Sequence, residues 1–151
     1  SSFGQHVGWV PPLEQAVDAS TPLLSPAQEY IGRELTSPAL YNLPFTIRVR
    51  GRLDHDALAS AVHDVMVRHE TLRTVYPDVA GSPRPLVVNP DWIPRGLQVV
   101  EGNSSDARAI VHQTLSRGFD VRSEIPIRLI VCAYGRDDHL LAAVVHHIAA
   151  D

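Results

Sequence analysis

The sequence has one cysteine, Cys132, so no disulfide can close within the chain. Cys132 lies in an apolar run, where a thiol reads as a small buried hydrophobe, and a reducing cytoplasm is the expected setting. No apolar run approaches the roughly 20 residues that span a bilayer. The first residues also lack a basic region followed by an apolar stretch, so no signal peptide is expected. Basic clusters are few and short. The Arg48/Arg50/Arg52 series alternates as on the solvated face of a strand, and the formal net charge is −4. Neither nucleic acid nor an anionic membrane is therefore an expected partner, since both reward dense Lys and Arg.

What is present is an ordinary globular composition: 151 residues, 44% hydrophobic and 20% charged. That is enough for one domain, or one lobe of a larger one, with a real core. Residues 1–22 keep no period and contain Pro11-Pro12, which predicts a linker or leader, with Trp9 and Val10 docking on the body. Ser25 and Pro26 predict the cap and first turn of a helix running to about residue 35.

A strand with apolar residues at every second position is expected over residues 45–50 and ends at Gly51. Asp54 caps a helix expected over residues 55–69, with Leu58, Ala61, Val62, Val65 and Met66 as its inward stripe. Extended segments are expected around residues 72–76, 85–88 and 97–100. A third helix starts at Ser104 or Ser105, presents Ala107, Ile110, Val111 and Leu115, and ends near Gly118. Two strands, residues 127–134 and 140–147, then form a hairpin across Gly135-Arg136-Asp137-Asp138. The predicted fold class is α+β, a mixed β-sheet covered by about three helices.

The last strand is apolar on both faces until it reaches His146-His147, which places it centrally in the sheet. Adjacent strand residues point to opposite faces, so the two imidazoles cannot share a metal ion. No Cys, His, Asp or Glu stands nearby at ligand spacing, and no metal is expected. One histidine is expected to be held in the fold, while the other projects into space at the sheet end, where it can take up a proton or hold a nucleophile. Asp151, four residues past His147, could orient that imidazole or brace the turn that presents it. A buried carboxylate needs a partner, and Arg68 is the candidate, expected to face partly inward from its helix. On that reading Arg68→Ala would strand a buried charge and lower stability.

Three segments, in order, resemble the condensation domains of nonribosomal peptide synthetases. Leu24-Ser25-Pro26-Ala27-Gln28 resembles the opening Ser-x-Ala-Gln motif. Arg68-His69-Glu70-Thr71-Leu72-Arg73-Thr74-Val75-Tyr76 resembles Arg-His-Glu-x-Leu-Arg-Thr-x-Phe, with Tyr at the aromatic position. His146-His147-Ile148-Ala149-Ala150-Asp151 resembles His-His-x-x-x-Asp-Gly up to its Asp. Tyr41-Asn42-Leu43-Pro44 and Phe119-Asp120 with Pro126-Ile127-Arg128 also fit. After the opening Ala-Gln the chain departs from the family, with Glu29, Tyr30 and Ile31 where an Arg and an aromatic are usual.

The resemblance implies a chloramphenicol acetyltransferase-like lobe over residues 23–151, the N-terminal half of a V whose other half is absent from this sequence. It also implies a tunnel between lobes, entered from opposite ends by donor and acceptor peptidyl carrier proteins whose substrates ride on phosphopantetheine. The domain itself binds no cofactor. His147 is implied as the catalytic histidine, His146 and Asp151 as structural, Arg68 as the partner of Asp151, and Arg73 as a conformational support. An isolated lobe is expected to be inactive. Epimerization domains and carrier- or coenzyme-A-dependent acyltransferases share the third motif and are alternatives, as is a carrier-docking module without turnover. The motif spelling leans toward an L-configured donor.

Overall fold

A computed structural model describes Leu24, Ser25, Pro26, Gln28 and residues 39–150. Its centre is a four-stranded sheet in the order β1-β8-β7-β6. These strands are β1 (Asn42–Arg50), β6 (Gln98–Glu101), β7 (Ile127–Gly135) and β8 (Asp138–His146). The β7–β8 hairpin turns where the sequence placed it. The sheet is mixed, with β1, β8 and β7 antiparallel and β6 parallel to β7. Four two-residue strands, β2 (Thr74–Val75), β3 (Asp78–Val79), β4 (Ser82–Pro83) and β5 (Leu86–Val87), make two small ladders beside it. The helices α1 (His55–Arg68) and α2 (Ala107–Ser116) complete the described α+β layers. Pro26 and Gln28 are helical, and the rest of the expected first helix lies outside the described residues, as do residues 1–22 and Asp151. No helix among the described residues is long and apolar enough to cross a membrane.

Strand β8 lies between two neighbours, and its Ala142, Ala143 and Val144 are fully buried, as expected of a strand apolar on both faces. Strand β1 is an edge. The backbone bonds Tyr41–His147 and Gly51–Asp137 fix its phase: odd-numbered residues turn their amides toward β8 and even-numbered ones outward. Pro44 takes an outward position, where no ladder bond is lost. Arg48 shares that backbone phase, but its side chain crosses the sheet to pair with Asp138 on β8 and to lie over the Tyr134 ring of β7. Gly51 ends the strand at a φ of 111°, a conformation that suits a residue without Cβ.

The Asp54 carboxylate accepts the N–H groups of Asp56 and Ala57, both at 3.0 Å, and so starts α1. The inward stripe is His55, Leu58, Ala59, Val62, His63 and Met66, spaced at successive helical turns. This stripe is rotated from the expected one: Ala61 and Val65 are exposed, and so is Arg68. Arg68 lies two residues past Met66, about 200° around the helix, so the expectation that it faces inward is corrected. After α1 a 3₁₀ turn (Glu70–Arg73) takes the first two residues of the expected extended segment, and β2 follows within it. Arg73 is the cause. Its buried guanidinium donates to the carbonyls of Met66 (3.1 Å) and Val88 (2.7 Å), drawing the chain back onto the end of α1.

The main core joins Tyr76, Phe119, Val121, Val144 and Ile148, and a second cluster holds Val75, Leu86 and Val88. Tyr76 connects elements far apart in sequence. Its N–H donates to Val121 (2.7 Å), and its hydroxyl accepts from Gln28 Nε2 (3.4 Å). Tyr76→Ala is expected to cost about 3–5 kcal/mol in denaturant titration, whereas Tyr76→Phe, which loses only the long hydroxyl contact, is expected to cost about 1 kcal/mol or less. A cost below about 1 kcal/mol for the alanine variant would contradict this packing.

Candidate active site

The site is built where β8 ends. His146 is its last residue and is buried, at 4% exposure, whereas His147 begins a 3₁₀ turn (His147–Ala149) and is exposed. Three backbone contacts fix this exit. His146 N–H donates to the Pro126 carbonyl (2.9 Å), His147 N–H to the Tyr41 carbonyl (2.8 Å), and Ala150 N–H to the His147 carbonyl (3.1 Å). The His146 ring adds a fourth, its Nδ1 accepting the N–H of Ile148 at 3.2 Å. An accepting Nδ1 assigns the proton of the neutral ring to Nε2.

Burial pushes the His146 imidazole down to about 4, and the adjacent His147 and Arg128 push the same way. At neutral pH His146 is an uncharged ring that caps a turn, and it is a weak base. His147, by contrast, is exposed. The sequence placed these two side chains in different environments, and the structure does so by ending the strand between them.

The second motif lies behind this turn. Arg73 is held by the two carbonyls described above and, on its outer side, by the exposed Glu70 at 3.1 Å. The Thr74 hydroxyl donates to the Glu70 carbonyl (2.7 Å) and closes the same turn. The first motif arrives through Gln28. Ser25 and Gln28 form a reciprocal cap, Ser25 N–H to Gln28 Oε1 at 3.1 Å and Gln28 N–H to Ser25 Oγ at 3.2 Å, and the amide of Gln28 continues to Tyr76. Arg68 forms no ion pair among the described residues. From the surface, a pairing with Asp151 would contribute no more than about 1 kcal/mol.

Sequence reasoning matched Phe119-Asp120 and Pro126-Ile127-Arg128 to the family without giving them a role, and it missed Glu124, around which their loop grips His146 from the other side. Glu124 is buried and accepts from Arg117 (3.0 Å), Arg128 (2.7 Å) and the N–H of Asp120 (2.8 Å). Arg128 also donates to the carbonyls of Arg117 and Gly118, at 2.6 and 2.7 Å, and its guanidinium carbon lies 3.7 Å from the centre of the Phe119 ring. Phe119 in turn meets the His146 ring edge to face at 5.8 Å, with Tyr41 at the same distance on another side. Asn42 ties this loop to β1, donating to the carbonyls of Leu115 and Arg117. The i, i+4 spacing of Glu124 and Arg128 was the available signal, but it reads as an exposed pair until the loop is seen to be folded inward.

A family model, "Condensation domain", matches residues 19–151. An isonitrile lipopeptide synthase of Mycobacterium tuberculosis is 41% identical over 122 residues, covering 78% of this chain and 5% of that protein. A cyclosporin synthetase of Tolypocladium inflatum is 38% identical over 108 residues, covering 72% of this chain and 1% of that protein. Among solved structures, the X-domain from teicoplanin biosynthesis is similar with a TM-score of 0.77 and 29% identity, over 91% of this chain and 30% of that one. The chain thus spans a small part of the relatives it matches.

His146 links protonation to folding. Its ring is depressed from 6.5 to about 4 in the folded chain, so the unfolded chain takes up the proton first as pH falls. The stability it contributes is complete above about pH 6.5, is lost progressively toward pH 4, and amounts to at most about 3 kcal/mol. His146→Asn keeps an acceptor for Ile148 but cannot titrate. Urea unfolding between pH 7 and 4 is expected to show a shallower acid loss of stability in this variant than in the wild type. Equal slopes would contradict the assignment.

Proposed function

From the membership of this chain in the condensation domains of nonribosomal peptide synthetases, we propose that it supplies the catalytic histidine wall of a site for peptide-bond formation. The substrates are an aminoacyl or peptidyl thioester on a donor carrier protein and an aminoacyl thioester on an acceptor carrier protein. The acceptor nitrogen forms a C–N bond to the donor carbonyl carbon, the donor C–S bond breaks, and the departing sulfur leaves as thiolate. The proton lost from the amine is taken by the His147 imidazole, which also holds the nitrogen in line.

The observation that carries this reading is the split between the two histidines, His146 buried as an uncharged cap and His147 exposed beyond the end of the central strand. A thioester is already activated, so proximity and one modest base suffice. Arg73 is assigned to holding the second motif in shape, and Asp151 with Arg68 to bracing the turn after His147. The domain uses no cofactor of its own, since the phosphopantetheine arms come with the carriers. The second wall of the tunnel belongs to a C-terminal lobe, and this lobe alone is expected to be inactive.

His147→Ala in the full synthetase polypeptide is expected to lower dipeptide formation between loaded carriers by about 100-fold or more while leaving the thermal midpoint unchanged. Undiminished product would remove His147 from the chemistry.

A further inference from the structure

The loop from Arg117 to Arg128 holds His146 at two points. Its Pro126 carbonyl accepts the His146 backbone N–H, and its Phe119 ring lies edge to face against the imidazole. A third bond, from Tyr76 N–H to the Val121 carbonyl, joins the loop to the end of the second motif. The loop is itself built around one buried carboxylate. Glu124 accepts from two guanidiniums and one backbone N–H, and Arg128 spans Glu124, two carbonyls and the face of Phe119.

We propose that Glu124, Arg128 and Phe119 form a positioning stack for condensation, in which the carboxylate fixes the guanidinium, the guanidinium fixes the ring, and the ring holds His146 in one pose. His146 Nδ1 caps the first turn after the strand through Ile148, so its pose sets where His147 stands. None of the three touches substrate, and each acts through His146. Among the described residues, the charged or titratable side chains that act on His146 are His147, Arg128 and Glu124, with the Tyr41 ring on another side. A cation above the ring face and a ring edge against the imidazole are both directional contacts, so they define orientation as well as fill space. Misplacing a catalytic group by about 1 Å can cost 100-fold in rate, so a stack of this kind is expected to register in turnover more than in binding.

This inference rests on the role given to His147 above. The test uses the full synthetase polypeptide with loaded carrier proteins. Phe119→Leu keeps most of the apolar volume and the Glu124–Arg128 pair but removes the ring face, and Arg128→Met removes the cation. Both are expected to lower kcat by about 10- to 100-fold while the KM for each carrier stays within about twofold. Arg128→Lys keeps a cation on Phe119 and Glu124 and is expected to recover most of the loss. If Arg128→Met does not fold, Phe119→Leu alone decides. Unchanged kcat in folded Phe119→Leu, a loss carried entirely by KM, or no recovery with Arg128→Lys would each overturn the stack as a positioning device. If His147→Ala were also fully active, the functional reading itself would fall. If only His147→Ala lost activity, the stack alone would fall.

Discussion

A single residue, His146, joins the strand, the turn and the loop that make up this site. Its N–H reaches Pro126 just before β7, its Nδ1 receives Ile148 in the turn, and its ring packs between Tyr41 and Phe119. Burial makes this possible by holding the ring uncharged, since a protonated imidazole would lose its acceptor and would stand beside Arg128. Because β8 is central and fully paired, the position of His146 is set by the sheet, and His147 takes its place from the residue before it. The His147 side chain is thus exposed on a buried, hydrogen-bonded support.

Two buried charged groups keep that support in place, and neither is left without partners. Arg73 lies among carbonyls from α1 and the segment after β5, with Glu70 at its outer edge. Glu124 lies between Arg117 and Arg128. A buried charge missing one partner is strongly destabilising, so each cluster forms completely or at substantial cost. The two clusters flank the Tyr76–Phe119–Val121–Val144–Ile148 core, which couples the second motif to the third through packed side chains.

Much of this was legible in the sequence. Alternation and turn chemistry located β7, β8 and the connection between them, because a buried strand and a short polar turn leave a strong local pattern. Strand alternation predicted different environments for His146 and His147; the difference holds, but it arises because the strand ends at His146 and His147 begins a 3₁₀ turn. The caps at Ser25 and Asp54 were legible because capping is a local interaction. Arg68 was misplaced because Ala61 and Val65 suggested a stripe that tertiary packing rotated toward His63 and Met66; a polar residue in the true stripe concealed its phase. The 3₁₀ turn at Glu70–Arg73 was missed because it forms around an Arg73 side chain whose acceptors lie 7 and 15 residues away. Glu124 was missed for a similar reason, since nothing local marks a loop acid as buried.

Histidine side-chain 15N NMR, followed through a pH titration, tests most directly the claim that His146 is a neutral structural cap. The account predicts that at neutral pH its proton resides on Nε2, with Nδ1 unprotonated, and that the ring stays neutral until the pH approaches about 4. A His146 ring that carries its proton on Nδ1, or that protonates near the ordinary histidine value of about 6.5, would contradict it.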